Sequence, residues 1–209
     1  MAVTGLVFAG FVAMHMYGNL KLLAGEESFN TYAEHLRTFM MPILPREGLL
    51  WILRITLVLA LIGHVYSAVT LWSRAGGARK TRYAAGKTAM KSAWMRWGGV
   101  FLLLFIIWHL IQFTIVKVDV SGASTDTANP YQLVVASFQV WWLTLIYVVA
   151  LVALGMHLAH GVFSAQQTLG WTGSAAAHKR AQLIGHAVAA LVVVGFLIPP
   201  LSILFGLVK

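Results

Sequence analysis

Five long apolar stretches alternate with short polar ones along the chain, at about 1–23, 48–73, 95–117, 134–166 and 183–207. Each holds at least the roughly 20 residues that a helix needs to cross the hydrocarbon layer of a bilayer. The pattern predicts an all-α membrane protein with five transmembrane helices. No composition shift or internal repeat marks a boundary, so residues 1–209 are expected to form a single membrane domain. Composition agrees: 59% of the 209 residues are hydrophobic and only 10% are charged, against about a quarter in soluble domains. The opening MAVTGLVFAG has neither a basic lead nor a small-residue cleavage pattern, so no removable signal peptide is expected. The lack of polar residues before the first span suggests a trimmed start. The absence of cysteine excludes disulfides, and it excludes thiolate-held zinc or iron–sulfur clusters bound by this chain alone.

Charge fixes an expected orientation. The net charge is +9, but Arg74, Arg79, Lys80, Arg82, Lys87, Lys91 and Arg96 crowd into one connection between spans two and three. Such a cluster marks the cytoplasmic side of a membrane protein. Lacking an independent fold, it does not suggest nucleic-acid binding. Five spans put the termini on opposite sides, and the Lys179–Arg180 pair falls on the same side as the 74–96 loop, so the N-terminus is expected to be cytoplasmic too. The outward connections, 24–47 and 118–133, carry Glu26, Glu27, Glu34, Asp119 and Asp126; the sixth acid, Glu47, stands at the edge of span two. After Ser28, a candidate N-cap, Phe29, Tyr32, Ala33, Leu36 and Met40 follow helical spacing, which predicts a short interfacial helix ended by the prolines of MPILPR. Trp51, Trp94, Trp97, Trp141 and Trp142 lie near span ends, where interfacial anchoring accounts for them.

The candidate chemistry is in the histidines. Of eight, His35 and His178 fall in connections, while span one carries His15, span two His64, span three His109 and span four both His157 and His160. Depth can be counted from the outer end of each span at about 1.5 Å per residue. His15 lies six residues before Lys21 and His109 eight before Lys117, which places both roughly 9–12 Å below the outer surface. His64 follows Glu47 by seventeen residues and His157 follows Gln139 by eighteen, so both lie roughly 26 Å down. The four therefore sort into two pairs at matched depth, roughly 15 Å apart along the membrane normal. A haem iron held on both faces needs two imidazoles at one depth on different helices, and helix bundles supply cofactor sites of this kind. Two such haems stacked along the normal would form an electron wire. Gly18, Gly63, Gly155 and Gly161 lie beside the candidate ligands and would leave room for a flat macrocycle, although glycine is also common in membrane helix contacts. His160, three residues past His157, reads as a neighbour of the ligand or a helix-contact residue. Two other readings stay open at this point. The histidines could hydrogen-bond across helices, or they could form a proton relay, which the lack of acids inside the spans disfavours.

Four segments in order resemble a known family. TGLVFAGFVAMHMYGNL (4–20), FNTYAEHLR (29–37), WHLIQF (108–113) and GMHLAHGVFSAQQTLG (155–170) are similar to the single-chain, five-helix diheme cytochrome b subunit that anchors succinate dehydrogenase and fumarate reductase. The resemblance covers essentially the whole chain. It implies a four-helix core bundle with two stacked haem b groups and a fifth helix alongside. His15 and His109 would hold the outer iron, and His64 and His157 the inner one. It further implies a flavoprotein partner that oxidises succinate, and an iron–sulfur partner docked on the cytoplasmic face. Electrons would pass to a membrane quinone, expected to be menaquinone, in a bacterial plasma membrane. Succinate chemistry would lie outside this chain. Arg54, Glu34, His35 and Arg37 on the outer side, and His186, Gln182 and Ser67 on the inner side, are candidates to meet a quinone or the haem propionates. A haem-free anchor of the same complex and an unrelated membrane cytochrome are the alternatives.

Overall fold

The computed structural model describes residues 1–77, 87–122 and 125–208. Among them the regular structure is helical: α1 (Ala2–Leu20), α2 (Glu26–Thr38), α3 (Gly48–Gly77), α4 (Lys87–Leu110), α5 (Pro130–Gln139), α6 (Trp141–Thr168) and α7 (Ala175–Leu204). Five of these are long and apolar enough to cross a membrane, namely α1 with its 3-10 extension to Ala24, α3, α4 with its extension to Ile115, α6 and α7. Basic residues Arg79, Lys80 and Arg82 lie outside the described residues.

Helix α1 is in contact with α3, α6 and α7, while α4 packs on α6. The four helices α3, α1, α6 and α4 therefore follow one another in that order around a four-helix bundle, with α7 against α1 and α6. At the end of the bundle away from α2 and α5, here called the inner end and the opposite one the outer, α3 meets α4 through Trp72 and Trp97, whose rings stand edge to face at 6.1 Å, with the Arg96 guanidinium 5.2 Å from the Trp72 ring. The tightest packing joins α6 to α7. There the α7 residues Ala181, Gly185, Ala189 and Val192 are buried on a spacing of about four, so two backbones approach where side chains are small. A second packed cluster closes the outer end and gathers Leu22, Tyr131, Val134, Val135, Phe138, Leu143, Tyr147 and Ile203.

The outer cap departs from the sequence expectation in two places. Helix α2 starts earlier than Ser28: its N-cap is Gly25, held at φ 92°, and it ends at Thr38, before the prolines, where Phe39 turns extended. The apolar run from 134 is not one span. Val140 is extended (φ −84°, ψ 105°) and divides α5 from α6, and α5 lies buried across the outer ends of α6 and α7. Asn129 begins α5 by accepting from the amides of Tyr131 and Gln132, with Pro130 in the first helical position, where its missing N–H is harmless. The same Asn129 accepts from Asn30 Nδ2 (3.0 Å) and donates to Glu26 Oε1 (2.7 Å), tying α5 to α2. Asn129→Ala removes the cap and both ties, and is expected to destabilise the folded chain by about 1–2 kcal/mol, read as a lowered unfolding midpoint in detergent.

Candidate functional site

The bundle brings together the two histidine pairs that depth counting matched. His15 on α1 faces His109 on α4, with ring centroids 5.8 Å apart. His64 on α3 faces His157 on α6 at 6.2 Å. The two pairs use the two diagonals of the bundle, so all four helices contribute one ring. Their separation along the axis can be read on α4: Gly99 abuts the His157 ring, with a Cβ there 3.7 Å from its Cε1. His109 stands ten residues further on, about 15 Å. The same level is reached on α1, where a Cβ at Gly5 would lie 3.7 Å from His64 Cε1.

Each ring is held by its surroundings. His15 stacks on Phe11 (5.4 Å, 10° between planes) and touches Phe196 of α7. His109 is packed among Phe105, Phe113 and Tyr147. Its Nδ1 lies 3.3 Å from the Tyr147 hydroxyl, which donates to Gln112 Oε1 at 2.8 Å; Gln112 Nε2 in turn donates to Ser137 Oγ at 3.1 Å. Gln112 and Ser137 are both fully buried, at 0% exposure. Immediately after His109 the helix widens into a π turn over Ile111–Ile115, an irregularity frequent at functional sites. At the inner level His64 Nδ1 is 3.0 Å from Thr4 Oγ1, and Phe8 stands edge-on to its ring. His157 Nδ1 is buried with no hydrogen-bond partner.

Tyr147, Gln112, Ser137 and Thr4 were not singled out by sequence reasoning. A signal existed for Tyr147: it precedes His157 by ten residues on one helix, about 15 Å, and so stands at the level of the outer pair.

The remaining candidates are engaged elsewhere. Arg54 pairs with the loop carboxylate Glu47 (3.4 Å) and lies over Trp51. Arg37 bridges Glu34 and Glu47 (3.6 and 3.7 Å), and Arg46 meets Glu34 at 3.0 Å. This network pins α2 to the start of α3. His35 is exposed and touches Phe39. On the inner side Ser67 donates to its own helix at Gly63 O (2.7 Å), and His186 bonds Gln182 O, both on the exposed face of α7. His178 packs edge-on against Phe163. His160 is exposed and does not join the His64–His157 pair. Of the four glycines beside the candidate ligands, two serve close packing: a Cβ at Gly18 would meet Tyr32 at 2.8 Å, and one at Gly155 would meet Val193 at 2.9 Å. Gly161 has open space around its Cβ position, and Gly63 makes only ordinary contact with Thr4. Because the arginine network is largely exposed, Arg46→Ala is expected to change stability by less than about 1 kcal/mol, checked by the same unfolding measurement.

Residues 72–198, more than half of the chain, match the family described as succinate dehydrogenase/fumarate reductase transmembrane subunit. The chain belongs to that family. The matched region runs from the end of α3 through most of α7, and holds His109 and His157, while His15 and His64 lie on the N-terminal side of it. As a transmembrane subunit of this family, the chain is a membrane component of a succinate dehydrogenase or fumarate reductase complex. Comparison with curated proteins and with solved structures returns no match.

The geometry of this subunit fits haem iron. Two metal–nitrogen bonds of about 2.0–2.1 Å, plus about 1.1 Å from each nitrogen to its ring centre, give facing imidazole centroids about 6.3 Å apart; the observed values are 5.8 and 6.2 Å. Among the described residues no group of three or more His, Cys, Asp or Glu is placed to hold a bare metal ion. A two-histidine site therefore suits a metal whose other four ligands come from a porphyrin.

Proposed function

We propose that the chain is the diheme cytochrome b anchor of a succinate:quinone oxidoreductase, forming one membrane domain over residues 1–209. The observation that carries this reading is the two facing histidine pairs, 5.8 and 6.2 Å between centroids, stacked about 15 Å apart along the bundle. His15 and His109 would hold the outer haem b, and His64 and His157 the inner one. Bound haem supplies one-electron chemistry. The chain's own work is to present one imidazole from each of four helices, to hold the rings with Phe11, Phe105, Phe113 and Phe196, and to keep water from the outer pair. It provides no group for succinate oxidation; that belongs to a flavoprotein partner. An iron–sulfur partner docks at the basic 74–96 side, which is cytoplasmic together with the N-terminus, in a bacterial plasma membrane. Electrons leave to a lipid-soluble quinone, menaquinone in this reading.

A reduced-minus-oxidised spectrum of the purified complex, with haem counted per chain, tests the proposal. Two b-type haems are expected. A complex that holds its flavoprotein and iron–sulfur subunits but shows no b-type band would make this a haem-free anchor. A b-type band without those subunits would make it an unrelated membrane cytochrome.

A further inference from the structure

The outer pair contains a polar chain that ligation alone does not require: His109, Tyr147, Gln112 and Ser137, drawn from α4, α6, the π turn and α5. Four polar side chains buried together in a membrane bundle are costly unless every proton has an acceptor. With the Gln112 amide oriented as it stands in the structure, counting the protons fixes their directions. The Gln112 amide donates through Nε2 to Ser137 Oγ and accepts through Oε1 from the Tyr147 hydroxyl. A phenol has one proton, and that proton is committed to Gln112. The contact between Tyr147 and His109 Nδ1 can then run only one way, with Nδ1–H donating to the phenol oxygen. A neutral imidazole carries a single N–H, so Nε2 of His109 is left as the bare, lone-pair nitrogen.

We infer that Tyr147, oriented by Gln112, is a positioning residue that locks His109 in the tautomer able to ligate iron through Nε2. The inference rests on the haem reading above and goes beyond it, because it assigns a role to residues other than the four histidines. The same logic recurs at the inner level with different residues. The Thr4 hydroxyl stands 3.0 Å from both Met1 O and His64 Nδ1; donating to the carbonyl, it would accept from Nδ1 and leave Nε2 of His64 bare. Hydrogen bonding of the second nitrogen is the usual way in which a protein fixes a metal-binding histidine and raises its basicity.

Removing either member has a distinct signature. Tyr147→Phe takes away the acceptor, so the His109 ring becomes a poorer electron donor and the midpoint potential of the outer haem rises while that of the inner haem stays. Gln112→Leu acts more sharply although Gln112 does not touch His109. The Tyr147 proton loses its acceptor and turns to Nδ1, favouring the tautomer with the proton on Nε2, where iron must bind. Haem affinity at the outer site should fall about 10- to 100-fold. Adding Tyr147→Phe to Gln112→Leu removes the misdirected donor, and so should restore part of that loss.

The experiment is a redox titration of the purified complex together with the rate of haem loss to excess apomyoglobin, for the parent, both single variants and the double variant. The supporting result is a raised outer potential in Tyr147→Phe and a double variant that holds haem better than Gln112→Leu alone. A merely structural role predicts losses that add and a potential that does not move; that result, in a parent carrying two haems, overturns the inference alone. A parent without b-type haem overturns the haem reading and this inference with it.

Discussion

His109→Ala is expected to halve the haem content of the complex, from two per chain to one, with the inner haem keeping its spectrum and potential. The ring of His109 faces His15 at 5.8 Å, and a haem iron held between them would find no substitute ligand in the apolar bundle once one imidazole is removed. The residues packed on His109 are aromatic, and the Tyr147 hydroxyl is directed at Gln112. The inner pair lies about 15 Å away along the axis, beyond the roughly 7–10 Å over which substitutions usually couple. His15→Ala should therefore give the same single-haem species, and combining the two should remove nothing more. His64→Ala or His157→Ala should remove the complementary haem, while His160→Ala, being exposed, should remove neither. Haem extracted per chain and the b-type absorbance of each variant read this directly. Loss of both haems in His109→Ala, or of none, would refute the assignment of ligands to levels.

Much of this arrangement was legible in sequence because two periodicities report it. Hydropathy gives the spans, and the rise of a helix converts the positions of His15, His64, His109 and His157 into depths. Neither depends on knowing which helix faces which. What was illegible depends on tertiary placement or on the backbone itself. The run from Val134 through Trp142 is broken only by the uncharged Ser137 and Gln139, so hydropathy reads it as one span. The break at Val140 is a change of ψ, and α5 is apolar because it is buried under the outer cap. The relay behind His109 was hidden for a different reason. Tyr, Gln and Ser are individually unremarkable in membrane helices, and only the packing of α4 on α6 with α5 across it brings 112, 137 and 147 together. Arg54 shows the converse. Inside an apolar span it invited a functional reading, yet its partner Glu47 is seven residues earlier on the same stretch, two helical turns away, where a simple ion pair closes. The glycines were ambiguous in principle, since a missing Cβ makes room equally for a macrocycle or for another helix, and Gly18 and Gly155 are used for packing.

Gly185→Leu should be the most damaging substitution outside the histidines. A Cβ at Gly185 would stand 2.5 Å from the carbonyl oxygen of Ala159 on α6 and 3.5 Å from Phe163 Cβ. The atom in the way is backbone, held within a helix that continues well past it, so it cannot swing aside as a side chain would. Accommodating even one carbon requires α6 and α7 to part, and Leu adds three more. Ala181 and Ala189, buried one turn to either side, would lose their close contacts as well, and so would the bond from Gln166 Nε2 to Ala181 O (3.3 Å). Overpacking usually costs about 1–3 kcal/mol; an obstructing backbone on the tightest helix pair puts the expected loss at about 3 kcal/mol or more, read as loss of folded, detergent-stable chain. Gly195→Ala is the milder comparison. Its added carbon meets Sδ and Cγ of Met16, atoms of a flexible side chain that can take another rotamer, so a smaller loss of about 1 kcal/mol is expected. Equal damage from the two substitutions would show that α6 and α7 do not depend on this backbone contact. Because α6 carries both His157 and Tyr147, displacement of that helix should also weaken haem retention at the two levels together, unlike the one-at-a-time losses caused by the histidine substitutions.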